Sequence, residues 1–167
     1  MKESIYQSSF KKTLLQSLLP LLPVALQVIF MIYQLTYLED LGIELIFINL
    51  PFIALSVFSL IILTNYIKNA NATKIILRYN TIVMVKNNIS IELDTYKIDK
   101  VEIYSVTDNT RVPWLFMEYY VLHQGDRKIL FNSFNVEISE FWRDNLARRI
   151  STKNIQHHKR WYPLIRE

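Results

Sequence analysis

Catalysis and metal binding need particular residue types at short spacings, and few are available here. The chain has no cysteine. His123 stands alone in an apolar run. His157 and His158 are adjacent, not four apart, the spacing that would turn two imidazoles to one helix face as metal ligands. Carboxylates at Glu92, Asp94, Asp99 and Glu102 alternate with apolar residues, which places most of them on a solvated strand face. With glycine only at Gly42 and Gly125, there is no glycine-rich phosphate loop. We expect no enzyme, no metal and no cofactor. A lipid-acting membrane enzyme is the rival that stays open, because catalytic groups can assemble from distant residues without a local signature.

The densest cluster of functional residue types closes the chain, in "STKNIQHHKRWYPLIRE". His157, His158, Lys159 and Arg160 directly precede Trp161 and Tyr162, with Lys153, Arg149 and Arg148 upstream. Residues 1–67 hold three bases and four acids, residues 68–144 ten of each, and residues 145–167 six bases and one acid. The net charge of +4 therefore resides in the tail. Cations beside amphipathic rings suit anionic headgroups, at roughly 1 kcal/mol per base. The same residues would also serve docking on the chain's own domain, or on a protein partner with Trp161 as anchor. A short basic tail on a neutral domain is a weak electrostatic footprint for nucleic acid, and none is expected as a partner.

The elements that must position this tail begin with two long apolar runs. No charged residue occurs from Thr13 to Leu38 or from Leu45 to Ile67, and each run exceeds the roughly 20 residues that cross a bilayer core. Two transmembrane helices are expected, over about 13–37 and 45–67, as a hairpin spanning 13–67. Lys2, Lys11 and Lys12 precede the first and Lys68, Lys74 and Arg78 follow the second. The connection "EDLGIE" carries only acids. By the positive-inside rule both termini are cytoplasmic, including the segment 1–12.

Gln16, Pro20, Pro23, Gln27 and Gln34 fall within about a 60° arc of the first helix, and Asn49 and Ser56 form a shorter stripe on the second. Amides and the carbonyls that proline frees need partners in hydrocarbon, so this stripe should face protein. Packing within the hairpin is the simplest use. A third helix is the alternative, from a second copy in a homo-oligomer or from another membrane protein. Neither run contains the ionisable groups that mark a transport path.

From Lys74 the apolar period becomes that of strands. "KIILRY", "IVMVK", "ISIEL", "IDKVEIYSV", "WLFMEYYVLH" and "RKILFNSF" give six, the last two pairing as a hairpin across Gly125. Then "NVEISEFWRDNLARRI" repeats apolar residues at helical spacing behind Asn135, a candidate cap. The fold class expected is α+β: a transmembrane hairpin, then a small antiparallel barrel or bent sheet over 74–150 closed by an amphipathic helix, then the tail 151–167.

This order, with "ILRYNTIVMVKNNISIELDTYKIDKVEIYSV" and the closing "ILFNSFNVEISEFWRDNLARRI", resembles the bacterial pleckstrin-homology-like membrane proteins. The resemblance implies a scaffold in a bacterial inner membrane. The loop at Asn80-Thr81 lacks the basic residues with which phosphoinositide-binding members of that fold hold their ligand. The functional expectation is a non-enzymatic inner-membrane protein presenting this module to a protein partner or to membrane lipid. An immunity protein that neutralises a membrane-targeting toxin is the more specific rival.

Overall fold

A computed structural model describes residues 4–8, 10–37, 43–107, 112–136 and 154–165. Two helices come first, α1 (Phe10–Tyr37) and α2 (Ile43–Asn71). Pro20 and Pro23 lie inside α1 and Pro51 inside α2. Both helices are long and apolar enough to cross a membrane, and only 17% and 28% of their most apolar stretches are buried. Core helices of a soluble protein would be mostly buried. These instead expose Leu14, Leu18, Leu22, Ile29, Phe47, Phe52 and Val57, an apolar surface that suits lipid.

Among the described residues eight strands follow or precede the hairpin, and they form two open sheets rather than a closed barrel. The first sheet orders β1 (Ser4–Gln7), β2 (Thr73–Leu77), β3 (Thr81–Lys86) and β4 (Ile89–Asp94), all antiparallel. The second orders β7 (Arg127–Asn132), β6 (Tyr119–Gln124), β5 (Lys100–Val106) and β8 (Ile155–Arg160). Tight turns come where the residues tolerate positive φ: Asn87 and Asn88 at 49° and 66°, and Gly125 at 55°. The expected hairpin across Gly125 is present, with Gln124 opposite Arg127.

Three expectations change. Strand β6 starts at Tyr119, not Trp114, because 113–116 turn back so that Trp114 is fully buried against α2. β1 was invisible as a strand because its four residues carry no apolar alternation strong enough to register, yet it pairs Ser4 with Leu77 and Gln7 with Lys74. Ile155–Arg160, expected as a peripheral tail, is a strand parallel to β5, from Val101↔Ile155 to Val106↔Arg160. It covers an edge of backbone groups that would otherwise be left unpaired. The expected amphipathic helix lies outside the described residues, apart from Asn135 and Val136 at its start.

Alternation then divides the apolar side chains between two cores. Ile75, Leu77, Ile82, Met84 and Leu93 of the first sheet meet Val101, Ile103, Tyr120, Leu122, Ile129 and Phe131 of the second. The opposite face of the second sheet packs Val106, Tyr119 and Val121 with Trp114, Met117 and Phe134 against Ile62, Leu63, Tyr66 and Ala70 of α2. The last turns of α2 are thus part of the sheet unit. Asn135 secures the junction, donating from Nδ2 to the carbonyls of Ala70 at 2.8 Å and Thr73 at 3.1 Å.

Candidate functional site

Within the hairpin, one asparagine collects two glutamines. Gln27 Nε2 donates to Asn49 Oδ1 at 2.8 Å, and Asn49 Nδ2 donates to Gln34 Oε1 at 2.8 Å. All three are buried, as are Ser56, Ser59 and Pro20. The Ser59 hydroxyl donates to the Pro20 carbonyl, linking the helices again nearer the sheets. Gln16 does not join this set: its Nε2 donates to the Ser133 carbonyl at 3.0 Å and ties α1 to the turn after β7. Pro23 is half-buried on the same helix.

One side of this pair is grooved. A cavity of about 390 Å3 is lined by Leu26, Ile29, Phe30 and Tyr33 at helical spacing on α1, by Phe52 on α2, and by Gln27. Gln27 Oε1 is buried without a hydrogen-bond partner among the described residues.

The residues after β8 run along α2. The Phe58 ring meets Trp161 edge-on at 6.0 Å and stacks on Tyr162 at 6.4 Å. Trp114 Nε1 donates to the Trp161 carbonyl at 2.9 Å, and the Tyr66 hydroxyl to the Pro163 carbonyl at 2.9 Å. Asn65 completes the attachment through both its amide atoms, to the backbone of Ile165. Trp161 and Tyr162 remain 45% and 41% exposed, so their outer faces are free to meet another phase.

That phase can be located from α2. Its exposed side is apolar through Phe58 and Ile61, then polar at Thr64, Lys68 and Asn71. On that side α2 turns polar about one turn beyond Phe58, within the stretch Asn49–Asn71 that is apolar enough to cross a membrane. Trp161 and Tyr162 stand at the edge of the apolar zone, where amphipathic rings are favoured.

Below them lies a pocket absent from the expectations, of about 180 Å3, on the outer face of the second sheet. Strand alternation puts Lys100, Glu102 and Tyr104 on this face. Pairing adds Tyr119, Val121 and His123 from β6, and Lys128 and Leu130 from β7. His158 and Arg160 come from β8. Glu102 Oε1 takes Lys100 Nζ at 2.6 Å, and Oε2 lies 3.1 Å from His123 Nε2 and 3.4 Å from the Tyr104 hydroxyl. Burial raises the Glu102 pKa, but the hydrogen bonds and charges of Lys100 and His123 outweigh it and hold the carboxyl below its usual range. Tyr104 lies between two rings, Tyr119 at 4.4 Å and His158 at 4.6 Å, with the Arg160 guanidinium 4.9 Å from its centroid. Burial, and then the Glu102 charge, raise the Tyr104 pKa. No Ser, Thr or Cys lines the pocket, so among the described residues it offers no nucleophile of the acyl-transfer kind.

The tail residues expected to act together are thus divided. Arg160 turns into this pocket, His158 stacks on Tyr104 on the same face, His157 and Lys159 lie on the other face of β8, and Trp161 and Tyr162 lie along α2. Arg148, Arg149 and Lys153 lie outside the described residues. Lys100, Glu102 and Tyr104 already share a face in "IDKVEIYSV". Their grouping with His123, Lys128 and Arg160 depends on which strands pair.

No family model, curated protein or solved structure matches the chain.

Proposed function

We propose that the chain is a non-enzymatic membrane protein whose two-sheet unit works at the membrane surface, held there by the helical hairpin. The observation that carries this reading is the position of Trp161 and Tyr162 on Phe58, where the exposed side of α2 turns from apolar to polar. Strand β8 ends at Arg160, directly before Trp161, so a base and interfacial rings adjoin where anionic headgroups would lie. The membrane in this reading is the bacterial inner membrane, with termini and sheets cytoplasmic. The bases Lys11, Lys12, Lys68 and Lys74 on the sheet side support that orientation. So does the pairing of β1 with β2, which holds the two ends of the hairpin together.

The absence of cysteine provides the test. Tyr162→Cys, labelled with a fluorophore in lipid vesicles, is expected to be quenched by lipids carrying a quencher at the headgroup–acyl boundary. Tyr79→Cys, in the turn between β2 and β3 at the end of the first sheet away from α2, is not. Equal quenching at the two sites, or none at residue 162, removes the reading.

A protein partner inside the bilayer is the second reading, favoured by Gln27 Oε1. A buried acceptor without a donor is costly in hydrocarbon, and lipid tails supply none. A second copy would bring mainly Leu26, Ile29, Phe30 and Phe52 to that depth, with the Tyr33 hydroxyl as a polar group. The fitting partner is a helix of another membrane protein with a hydroxyl or amide at mid-depth. A leucine-rich transmembrane peptide with one central Asn tests it: energy transfer to the labelled chain should exceed that of the all-leucine peptide, and Gln27→Leu should abolish the difference.

A further inference from the structure

The pocket on the outer face of the second sheet holds more positive charge than its own hydrogen bonds use. Glu102 is the carboxylate among its lining residues, and both oxygens are occupied, Oε1 by Lys100 and Oε2 by His123 and Tyr104. Arg160 and Lys128 line the same pocket, and among the described residues neither has a carboxylate partner. They approach from opposite ends, since Arg160 lies beside Val106 while Lys128 lies beside His123, itself opposite Lys100. The Arg160 guanidinium carbon lies 4.9 Å from the Tyr104 ring centroid, at the Tyr104 end of the pocket.

We propose that this pocket binds a phosphate ester. Two cations with a histidine beside them suit a group with up to two negative charges and three acceptor oxygens, which a phosphate monoester carries and a carboxylate, with one charge and two oxygens, does not. His123, beside Lys128, is a further donor or acceptor through the ring nitrogen that Glu102 does not hold. The volume of about 180 Å3 is below the roughly 300 Å3 of sites that enclose drug-sized molecules, so the ligand is of headgroup size. Two sources share this chemistry: the headgroup of an anionic phospholipid, reached through Arg160 beside Trp161, and a small soluble ester such as glycerol phosphate. The lipid source rests on the membrane-surface reading, and the soluble source does not.

The test uses the full chain in nanodiscs. One arm titrates glycerol 3-phosphate calorimetrically into protein in phosphatidylcholine discs. The other counts phosphatidate retained by the protein from mixed discs, by native mass spectrometry. Binding in at least one arm is expected, weakened about tenfold by Arg160→Gln or by Lys128→Gln as one charge-assisted contact is lost. Lys97→Gln removes the same charge at an exposed site outside the pocket and should leave binding unchanged. Thermal unfolding of each variant identifies any that fails to fold, and the second pocket variant then decides. Dependence in the phosphatidate arm alone assigns the headgroup, and dependence in the soluble arm alone assigns the free ester. No binding in either arm, or equal weakening by Lys97→Gln, overturns the proposal. If residue 162 is quenched by interfacial lipid while both arms fail, the pocket falls and the surface reading stands. Soluble binding without that quenching gives the reverse.

Discussion

Asn65 and Ile165 hold each other across 100 residues of sequence: Asn65 Nδ2 donates to the Ile165 carbonyl at 3.2 Å, and the Ile165 N–H donates to Asn65 Oδ1 at 2.9 Å. One side chain of α2 thus stands in for a strand, and the end of the chain is fastened to the helix. Asn65→Leu removes both bonds from a half-buried site, and we expect a loss of about 1–3 kcal/mol. Limited proteolysis in mild detergent should cut near residues 159–165 in the variant and spare them in the parent chain. An unchanged digestion pattern would show that Tyr66 and Trp114 suffice to hold this segment.

Asn49 and Ser56 occupy the same buried stripe of α2 and should differ sharply. Asn49→Leu strands Gln27 and Gln34 together, with an expected loss of roughly 1–2 kcal/mol by the range for interhelical hydrogen bonds in membranes. Ser56→Ala removes a hydroxyl with no partner among the described residues and should be near neutral. Unfolding midpoints of the two variants in the same detergent compare them directly. A larger effect at Ser56 would mean the hairpin is packed differently.

Acid should loosen the outer face of the second sheet through Glu102. Its folded pKa lies below its ordinary value of 4.5, so its stabilisation is complete above that value and is lost as pH falls through the folded pKa. Melting temperatures from pH 6 down to pH 3 should therefore fall more steeply for the parent than for Glu102→Gln. Parallel curves would show that Lys100 and His123 do not depend on the charge of Glu102.

Ending the chain at Ser151 should do more than remove a surface contact. It deletes β8, exposes the edge of β5, and strips Trp114, Tyr66 and Asn65 of their hydrogen-bond partners. We expect aggregation, or a drop in melting temperature far larger than for Lys159→Gln. Size-exclusion profiles of the two variants in detergent provide the check. A monodisperse truncated chain with the parent's stability would mean that β8 is dispensable to the fold.

Composition and period determined the broad order of this protein. Two long uncharged runs became helices, in which an apolar segment satisfies its own backbone groups, and alternation in "ISIEL" and "IDKVEIYSV" became strands. The amide stripe was equally legible, since helical geometry alone puts Gln27 and Gln34 on one side.

Pairing was decided only by the tertiary structure. "IQHHKR" has no apolar alternation and becomes a strand because β5 has an edge to cover, and Ser4–Gln7 joins β2 across the whole hairpin. The Glu102 pocket follows from those pairings, gathering side chains from four strands. A local pattern fixes which way a side chain points on its own strand. Which strands lie beside it is set by the burial of two cores at once, and that depends on the whole chain.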